Sequence, residues 1–359
     1  MIFLAMLLSV ALSLSKMSAT KRFLTGRSCY AANFSSSSTL WPEIASIDKS
    51  ASTGLPESIE AKLMKLYPSD ITPDPTIVAK QARDYYQPVY GYLRHLLKLK
   101  RSAGTPGPVL VGISAPQGCG KTTLTDLMQE LFREHDYASV AVMSLDDFYL
   151  TAVDQKTLKE KYMGNSLVEL RGNAGTHDME LMMDTVKALQ SGEKCTIPRY
   201  DKSVNGGKGD RAAKDEWASF DKSPDIVLFE GWMLGFDPVP AEALKDEEMQ
   251  VVNTYLQGYK DLHASFDGWL VVGLSSIDLV YKWRQHAESK MIASGKTGMS
   301  EAEVRDFINR FMPSYEHYLP SLYAQGPKWR KVDAATGKAV SALLVTINED
   351  RMPQFVKEL

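Results

Sequence analysis

The feature that most constrains this chain is a loop of small residues that separates an apolar strand from a helix. Residues 109–124 read VLVGISAPQGCGKTTL, so an apolar run at 109–113 leads into the loop and then into Lys121. Small residues let backbone N–H groups surround phosphate oxygens, and the N-terminus of the helix adds partial positive charge. The segment matches the phosphate-loop pattern G-x-x-x-x-G-K-[ST], except that Ala115 occupies the first position. It therefore predicts a nucleotide-binding protein.

Each position of this loop has an expected role in holding ATP and Mg²⁺. Lys121 would reach the β- and γ-phosphates, and the Thr122 hydroxyl would coordinate the metal ion. Backbone amides at the start of the helix would bind further phosphate oxygens. The predicted nucleotide-binding residues are Ala115, Gln117, Gly118, Cys119, Gly120, Lys121, Thr122 and Thr123.

Strand and helix patterns alternate along the rest of the chain. The candidate strands are short apolar runs, typical of parallel strands covered on both faces; they span 109–113, 140–144, 226–229, 270–273 and 342–347. The candidate helices carry apolar residues at helical spacing; they span 123–133, 179–189, 279–292 and 301–311. Ser300 followed by Glu303 predicts a capping box at the start of the last one. This alternation predicts a doubly wound α/β fold with a mostly parallel sheet.

Two further segments complete the predicted organisation. Residues 55–101 carry apolar side chains at helical spacing, interrupted by prolines, and predict a helical lead-in. The polar, glycine-rich stretch at 200–222 is expected to be a long functional loop. A length of 359 residues would allow roughly two domains. The unbroken alternation favours one domain over 43–359, with its nucleotide and substrate core at 109–350.

Two carboxylates follow strand candidates in the positions that phosphoryl transfer requires. Asp146 comes directly after the strand at 140–144, and Glu230 follows the strand at 226–229. The carboxyl ends of parallel strands meet at the sheet edge where the phosphate loop lies. Asp146 could therefore accept the proton of an attacking hydroxyl, and Glu230 could help to hold Mg²⁺. Capping of a helix or turn is the alternative explanation for the Asp146–Asp147 pair.

Several segments beyond the phosphate loop resemble the clan of phosphoribulokinases, uridine kinases and pantothenate kinases. They include SLDDFY at 144–149 and FEGWM at 229–233. The resemblance implies that Asp146 is the catalytic base and Glu230 the acid on the metal side. Within the clan, RGNAGTHD at 171–178 and PRYDKS at 198–203 are most similar to the D-glycerate 3-kinases of plants, algae and fungi. That resemblance covers roughly residues 55–350.

The resemblance implies an ATP-dependent kinase that phosphorylates the 3-hydroxyl of D-glycerate to 3-phosphoglycerate, in photorespiratory carbon recovery. A small carboxylate substrate requires a cradle of cationic or N–H groups. The predicted substrate residues are Asp147, Tyr149, Arg171, His177, Asp178, Tyr200, Lys202 and Arg211. Two alternatives stay open. One is a kinase of another small alcohol, such as a nucleoside or pantothenate, and the other is a non-catalytic nucleotide-binding protein.

A basic helical segment follows the fourth strand candidate; it carries Lys282, Arg284, His286 and Lys290. Resemblance to the clan implies a lid helix whose arginine stabilises the charge of the transition state. Arg284 is the predicted catalytic residue of this lid, together with Lys121 and Asp146, although Lys282 competes for the role. An amphipathic surface helix would explain the same residues.

The N-terminal segment differs in composition from the rest of the chain. Residues 2–14 are almost entirely apolar, but this run is shorter than the ~18–20 residues needed to span a bilayer. Basic and hydroxyl residues follow, and no Asp or Glu precedes Glu43; the basic residues are Lys16, Lys21, Arg22 and Arg27. This composition predicts a targeting segment at 1–42 of the transit-peptide type. A plastid is the favoured destination, and a mitochondrion or the cytoplasm is the alternative. A secretory signal, or a two-part signal followed by a transit segment, is the alternative type of targeting segment.

Composition also bounds the partners. The formal net charge of −3 leaves no overall positive field to attract nucleic acid. Three cysteines are too few and too scattered for a disulfide scaffold or a zinc site. Cys119 lies near Lys121 and a helix N-terminus, which favours a thiolate, but we interpret it as a small loop residue. The expected partners are ATP and a small anionic substrate, without nucleic acid or stable membrane insertion.

Overall fold

A six-stranded sheet forms the centre of the computed structural model, which describes residues 54–66, 73–192, 194–295, 298–334 and 336–359. The strands are β1 (Val109–Ser114), β2 (Val140–Ser144), β3 (Cys195–Ile197), β4 (Tyr200–Asp201), β5 (Asp210–Arg211), β6 (Ala218–Phe220), β7 (Ile226–Gly231), β8 (Gly268–Leu274), β9 (Ala342–Ile347) and β10 (Pro353–Glu358). The order in the large sheet is β10-β9-β8-β1-β7-β2. β2, β7, β1, β8 and β9 run parallel, and β10 pairs with β9 in the antiparallel direction.

The five predicted strands are confirmed, and together they are the parallel part of the sheet. β1, β8 and β9 are buried along their whole length, because helices and loops cover both faces. Strands that are buried on both faces carry apolar side chains at nearly every position rather than at alternate positions, which is the pattern seen in the sequence. The edge strand β10 was not predicted, because only Pro353 and Val356 of it are buried and their spacing gives no strand alternation.

The helices are α1 (Leu55–Leu66), α2 (Pro75–Gln81), α3 (Gln87–Ser102), α4 (Lys121–His135), α5 (Ala152–Lys161), α6 (Met179–Ser191), α7 (Glu247–Leu256), α8 (Lys260–His263), α9 (Leu279–Ala293), α10 (Glu301–Asn309) and α11 (Met312–Gln325). All four predicted helices are present. The capping box predicted at the start of α10 is confirmed, since the Ser300 and Glu303 side chains each accept from the other's backbone N–H. α10 ends two residues earlier than expected, and α11 begins directly afterwards. None of the helices in the described part of the chain is long and apolar enough to cross a bilayer.

The helical lead-in is also confirmed. It consists of α1, α2 and α3, with one π-helical turn (Ala82–Tyr86) between α2 and α3. Pro75 occupies the first turn of α2, where its missing N–H costs no hydrogen bond. Lys62 on α1 pairs with Glu130 and Glu134 on α4, at 3.0 and 2.8 Å. The lead-in is therefore attached to the helix that follows the phosphate loop.

The predicted loop at 200–222 is more ordered than expected. β4 and β5 form a short antiparallel hairpin, and β6 pairs with β3. These strands are two or three residues long, too short to produce a readable alternation of polar and apolar residues. The described residues belong to one compact unit, Ser38–Leu359. The predicted targeting segment at 1–42 lies outside the described residues, so the predicted domain division stays a prediction.

Three titratable side chains with shifted pKa values link stability to pH. His263 is completely buried, and its Nε2 accepts the Gly235 N–H at 3.0 Å. Burial lowers the pKa of His263 to about 3, and burial likewise lowers the pKa of His177 to about 4, although the Asp146 carboxylate acts in the opposite direction. Burial raises the pKa of Asp237 to about 6, despite its hydrogen bond from the Lys328 amide.

We expect the free energy of unfolding to fall between pH 7.5 and 5.5. As the pH drops through about 6.5, both histidines gain protons in the unfolded chain but not in the folded chain, at about 1.4 kcal/mol per pH unit each. Asp237 acts in the opposite direction and offsets part of this loss of stability. Below about pH 6 its carboxylate takes up a proton in the folded chain but not in the unfolded chain. His263→Gln should reduce the difference between the two pH values by roughly 1 kcal/mol, measured by urea unfolding. Exposed His286→Gln is the matched control, and an equal effect of both variants would contradict this account.

Candidate active site

The phosphate loop connects β1 to α4 and depends on two glycines in left-handed backbone conformations. Gly118 has φ +80° and Gly120 has φ +98°. A Cβ on Gly118 would lie 2.7 Å from the Cβ of Trp283 on α9, so a side chain there would collide with the neighbouring helix. The loop is thus shaped by conformational freedom at both positions and by close packing at Gly118.

The lysine of the loop is held inside it. Lys121 Nζ donates to the carbonyls of Ala115 and Pro116, at 3.1 and 3.3 Å. The Ala115 N–H donates to the Gly231 carbonyl of β7 at 3.1 Å, which fixes the start of the loop to the sheet. Cys119 is buried, and burial raises the pKa of its thiol even though Lys121 lies nearby. This environment agrees with a packing role for Cys119 rather than with a reactive thiolate.

A residue that sequence reasoning missed contacts the loop from the other end of the chain. Arg351, in the turn between β9 and β10, donates from Nη2 and Nε to the Gly118 carbonyl, at 2.8 and 3.3 Å. Its guanidinium also lies over the Trp283 ring, 4.8 Å from the centroid. Arg351 has φ +58°, a left-handed conformation that is strained for a residue with a side chain. The left-handed turn position and the contact with Gly118 are visible only in the structure, so the sequence carried no local signal for this role.

A cavity of about 650 Å³ opens beside Gly120 and Thr123 at the start of α4. Its walls come from the lead-in helices, from α9 and from the β9–β10 turn. The polar and aromatic lining residues include Gln81, Tyr86, Lys282, Trp283, His286 and Arg351. The lead-in is fixed to this turn because Gln81 Nε2 donates to the Asp350 carbonyl at 2.7 Å. The cavity therefore adjoins the phosphate loop at the first turn of α4.

The structure places Asp146 at the carboxyl edge of the sheet, on a short 3₁₀ turn (Leu145–Phe148) that follows β2. Asp146 Oδ2 pairs with Lys202 Nζ at 2.5 Å, and Oδ1 accepts from the Tyr149 hydroxyl at 2.7 Å. Burial disfavours ionisation of Asp146, but the charge of Lys202, these hydrogen bonds and Lys121 outweigh it, so the pKa of Asp146 lies below its usual value. The Asp146 carboxylate is therefore an ionised group near the lysine of the phosphate loop.

Glu230 lies beside it, because Ser144 of β2 is in register with Glu230 of β7. Burial raises the pKa of Glu230, although Lys121 acts in the opposite direction. Its buried Oε2 has no hydrogen-bond partner among the described residues. A buried, unsatisfied carboxylate oxygen is what a hard cation such as Mg²⁺ would bind. Thr122, the other predicted metal residue, lies exposed on the first turn of α4.

Asp147 is engaged in local structure. Its carboxylate accepts the Ser144 N–H at 3.0 Å and completes a capping box around the 3₁₀ turn. It also accepts from Arg199 Nη1 at 3.1 Å. Of the Asp146–Asp147 pair, one residue thus caps the turn while the other faces the phosphate loop. The capping explanation is confirmed for Asp147, and the catalytic role of Asp146 stays a prediction.

Two predicted substrate residues, Tyr149 and His177, stack on one another. Their ring centroids are 4.8 Å apart and their planes differ by 23°. His177 is buried, and its Nδ1 forms a 2.7 Å hydrogen bond with the Tyr259 hydroxyl. Segments 148–150 and 176–178 run side by side, since the Leu150 N–H donates to Thr176 and the Asp178 N–H donates to Phe148. This brings the 171–178 motif to Asp146.

The remaining predicted substrate residues lie around the β4–β5 hairpin. Arg211 pairs with Asp178 at 2.8 Å, and Asp178 also caps α6 through the Leu181 N–H. Arg171 donates to the Gly207 carbonyl at 2.9 Å and to the Lys208 carbonyl. Its guanidinium lies 5.7 Å from the centroid of the Tyr200 ring. These contacts put the hairpin next to Asp146, and the substrate roles stay predictions.

The structure does not bring Arg284 to the phosphate loop through any contact among the described residues. Its guanidinium pairs with Glu288, one turn along α9, and lies over Phe307 of α10, 5.1 Å from the ring centroid. Its neighbour Lys282 pairs with Glu349 at 2.7 Å, beside the β9–β10 turn. Direct contact with the loop is made instead by Arg351. The predicted catalytic role of Arg284 stays a prediction.

Comparison with known families places this geometry among the kinases. Residues 110–254 match the model of the phosphoribulokinase and uridine kinase family. The chain is 42% identical over 280 residues to the chloroplastic D-glycerate 3-kinase of Arabidopsis thaliana, a match that covers 75% of this chain and 60% of that protein. It is 37% identical over 245 residues to the uncharacterized kinase mug58 of Schizosaccharomyces pombe, covering 64% of this chain and 87% of that one.

A solved structure is similar over the same region. The D-glycerate 3-kinase of Cryptococcus neoformans superposes with a TM-score of 0.68 at 30% sequence identity, covering 76% of this chain and 99% of its own. The family model begins at residue 110, so it omits the lead-in that closes the cavity. It ends at residue 254 and also omits the turn that carries Arg351. Both parts of the site lie outside the segment that the family model describes.

Arg351→Ala should raise the KM for ATP about tenfold with a smaller effect on kcat, because a charge-assisted hydrogen bond contributes roughly 1.5–3 kcal/mol. Arg351→Gly should weaken ATP binding equally while relieving the backbone strain, so that it unfolds no more easily than Arg351→Ala. Steady-state kinetics and thermal unfolding check both. Arg305→Ala, which removes an exposed helix-surface arginine, is the control. An unchanged KM in both Arg351 variants would contradict a role in nucleotide binding.

Proposed function

The chain belongs to the phosphoribulokinase and uridine kinase family, and we propose that it transfers the γ-phosphoryl group of ATP to the 3-hydroxyl of D-glycerate, giving 3-phosphoglycerate and ADP. The relatives named as D-glycerate 3-kinases support this acceptor. The match spans 60% of the Arabidopsis relative, so the substrate is a proposal for this chain.

The observation that carries the proposal is an ionised carboxylate beside a phosphate loop. Asp146 has a depressed pKa, close to the ammonium of Lys121, at the sheet edge where the γ-phosphate of a bound nucleotide would lie. A protein that only binds a nucleotide and catalyses no transfer needs no base at this point. Kinases need one, because the acceptor hydroxyl must lose its proton as it attacks phosphorus.

Each residue then has a defined task. Asp146 orients the acceptor hydroxyl and takes its proton, while Lys121 leaves its loop carbonyls and binds phosphate oxygens. Among the described residues, no group of three or more His, Cys, Asp and Glu side chains is placed to hold a metal ion. Thr122 and Glu230 would therefore hold Mg²⁺ together with nucleotide oxygens. When bound, the ion would neutralise charge on the β- and γ-phosphates.

The acceptor would lie between the 3₁₀ turn and the β4–β5 hairpin. Lys202 and Arg211 converge there with Tyr149, and their charges suit a small carboxylate. The chain carries a formal net charge of −3, so attraction of an anion must come from these local groups rather than from the whole molecule.

A coupled assay of ADP release, over a panel of D-glycerate, other hydroxy acids, uridine and pantothenate, tests the acceptor. We expect turnover with D-glycerate, and Asp146→Asn should lower kcat by about 10²–10⁴-fold, the usual contribution of a general base, with ATP affinity nearly unchanged. Turnover of uridine or pantothenate without turnover of glycerate would move the chain to another kinase of the clan. ATP binding without turnover of any acceptor would indicate a binding protein, and an active Asp146→Asn would refute the role of Asp146.

We further propose that residues 1–42 direct the protein to a plastid, where it would return photorespiratory carbon as 3-phosphoglycerate. The acid-free, basic composition of the segment and the chloroplastic relative support this proposal. A fusion of residues 1–55 to a fluorescent protein should accumulate in plastids of a plant or algal cell. The same fusion with Lys16, Lys21, Arg22 and Arg27 changed to Glu is the control and should remain outside. Import into mitochondria or secretion would contradict the plastid assignment.

A further inference from the structure

Both oxygens of the proposed base accept a hydrogen bond. Asp146 Oδ2 forms the 2.5 Å ion pair with Lys202 Nζ, and Oδ1 accepts the Tyr149 hydroxyl at 2.7 Å. A base must offer a lone pair to the hydroxyl that it deprotonates, at about 2.6–3.2 Å. In this arrangement the strongest acceptor position of Asp146 is covered by an ammonium group. Each oxygen keeps a second lone pair, but an ammonium on the carboxylate makes it a weaker base, so departure of a partner would strengthen Asp146 as a proton acceptor.

The two partners differ in how easily they can leave. Tyr149 is buried and stacked on His177, so its movement would disrupt packing. The Lys202 side chain is 53% exposed, and residues 201–208 around it are all exposed. β4 and β5 pair at only two positions, and the contacts of Arg171 with the Gly207 and Lys208 carbonyls hold the connecting segment without involving the Lys202 side chain. Few buried contacts oppose a change at this point, which is the condition for low-cost local movement.

Lys202 also differs from the other cations of the site in what holds it. Arg211 is tied to Asp178, which caps α6, and Arg199 is tied to Asp147, which caps the 3₁₀ turn. Each of these arginines is part of the local framework. Lys202 is paired with Asp146, the proposed base. A competing anion that binds Lys202 would therefore also remove the ammonium from Asp146.

From this arrangement we infer that Lys202 makes turnover conditional on an anionic acceptor: the acceptor carboxylate draws Lys202 away from Asp146 and thereby frees the base for the acceptor hydroxyl. The inference rests on the proposed function of the site and adds a positioning residue to it. Water lacks the carboxylate, so water bound at the same place leaves Lys202 on Asp146. The ion pair between Lys202 and Asp146 thus suppresses hydrolysis of ATP in the absence of an acceptor, and glycerate breaks the same ion pair when it binds.

The two competing reactions share one course. The oxygen of the acceptor, or of water, forms a bond to the γ-phosphorus, and the bond from phosphorus to the β,γ-bridging oxygen breaks with its electron pair staying on ADP. The proton of the attacking oxygen passes to the Asp146 carboxylate. The products are a phosphate ester and ADP with an alcohol, or inorganic phosphate and ADP with water. Only the access of the attacking oxygen to Asp146 distinguishes the two.

Release of inorganic phosphate from ATP, measured without any acceptor, tests the inference in the full chain. Lys202→Met should raise this hydrolysis about tenfold or more, a fraction of the 10²–10⁴-fold that a general base supplies. It should also lower kcat/KM for D-glycerate and reduce the preference for glycerate over glycerol. Lys202→Arg should keep hydrolysis low, because a guanidinium can form the same pair. Lys194→Met, at an exposed lysine paired with Asp221, is the matched control.

The double variant Lys202→Met with Asp146→Asn should return hydrolysis to the wild-type level or below, since the gain acts through Asp146. Hydrolysis that is unchanged in Lys202→Met, or that stays high in the double variant, would overturn the inference. A structural lesion would lower hydrolysis rather than raise it. Because the measurement needs no acceptor, it decides the role of Lys202 even if glycerate fails in the substrate panel.

Discussion

The site depends on one close contact between a strand end and a turn. Gly231 ends β7, and a Cβ on it would lie 2.8 Å from the Cβ of Leu145. The 3₁₀ turn can therefore lie directly against the strand, while the Gly231 carbonyl accepts the first N–H of the phosphate loop from Ala115. One residue thus contacts both the loop that binds phosphate and the turn that carries the base. A side chain at 231 would separate the two, and Asp146 would no longer lie beside Lys121.

The same edge of the sheet gives two adjacent carboxylates opposite tendencies. Asp146 is half-buried, and an ammonium and a hydroxyl donate to its carboxylate, so its pKa falls. Glu230 is half-buried beside it with one buried, unsatisfied oxygen, and burial raises its pKa. Neighbouring acids with divergent environments are a recurring basis for division of labour in active sites. In this arrangement Asp146 is suited to accept a proton, and Glu230 is suited to bind a cation.

The sequence predicted those parts of the molecule that are encoded over short distances. The phosphate loop, the five parallel strands, the capping box at Ser300 and the positions of Asp146 and Glu230 are all local patterns. The packing of Gly231 against Leu145 was not predicted, because the two residues are far apart in the sequence. Arg351 was missed because its importance comes from a partner 233 residues away. The β4–β5 hairpin was missed because two-residue strands carry no periodicity, and no local pattern could reveal the pairing of Lys202 with Asp146.

The hydrogen bonds from Arg351 to Gly118 affect when, during synthesis and folding, the protein becomes able to bind a nucleotide. The phosphate loop is complete early in synthesis, but the residue that fixes its carbonyl is added 233 positions later. The wall formed by Gln81 and Asp350 joins segments that are separated even further, by 269 positions. Contacts of such separation form late, because a long chain must be closed before they can contribute. A nascent chain would therefore contain the phosphate loop well before it could bind a nucleotide with the affinity of the folded protein. Nucleotide binding would then indicate that the fold is complete.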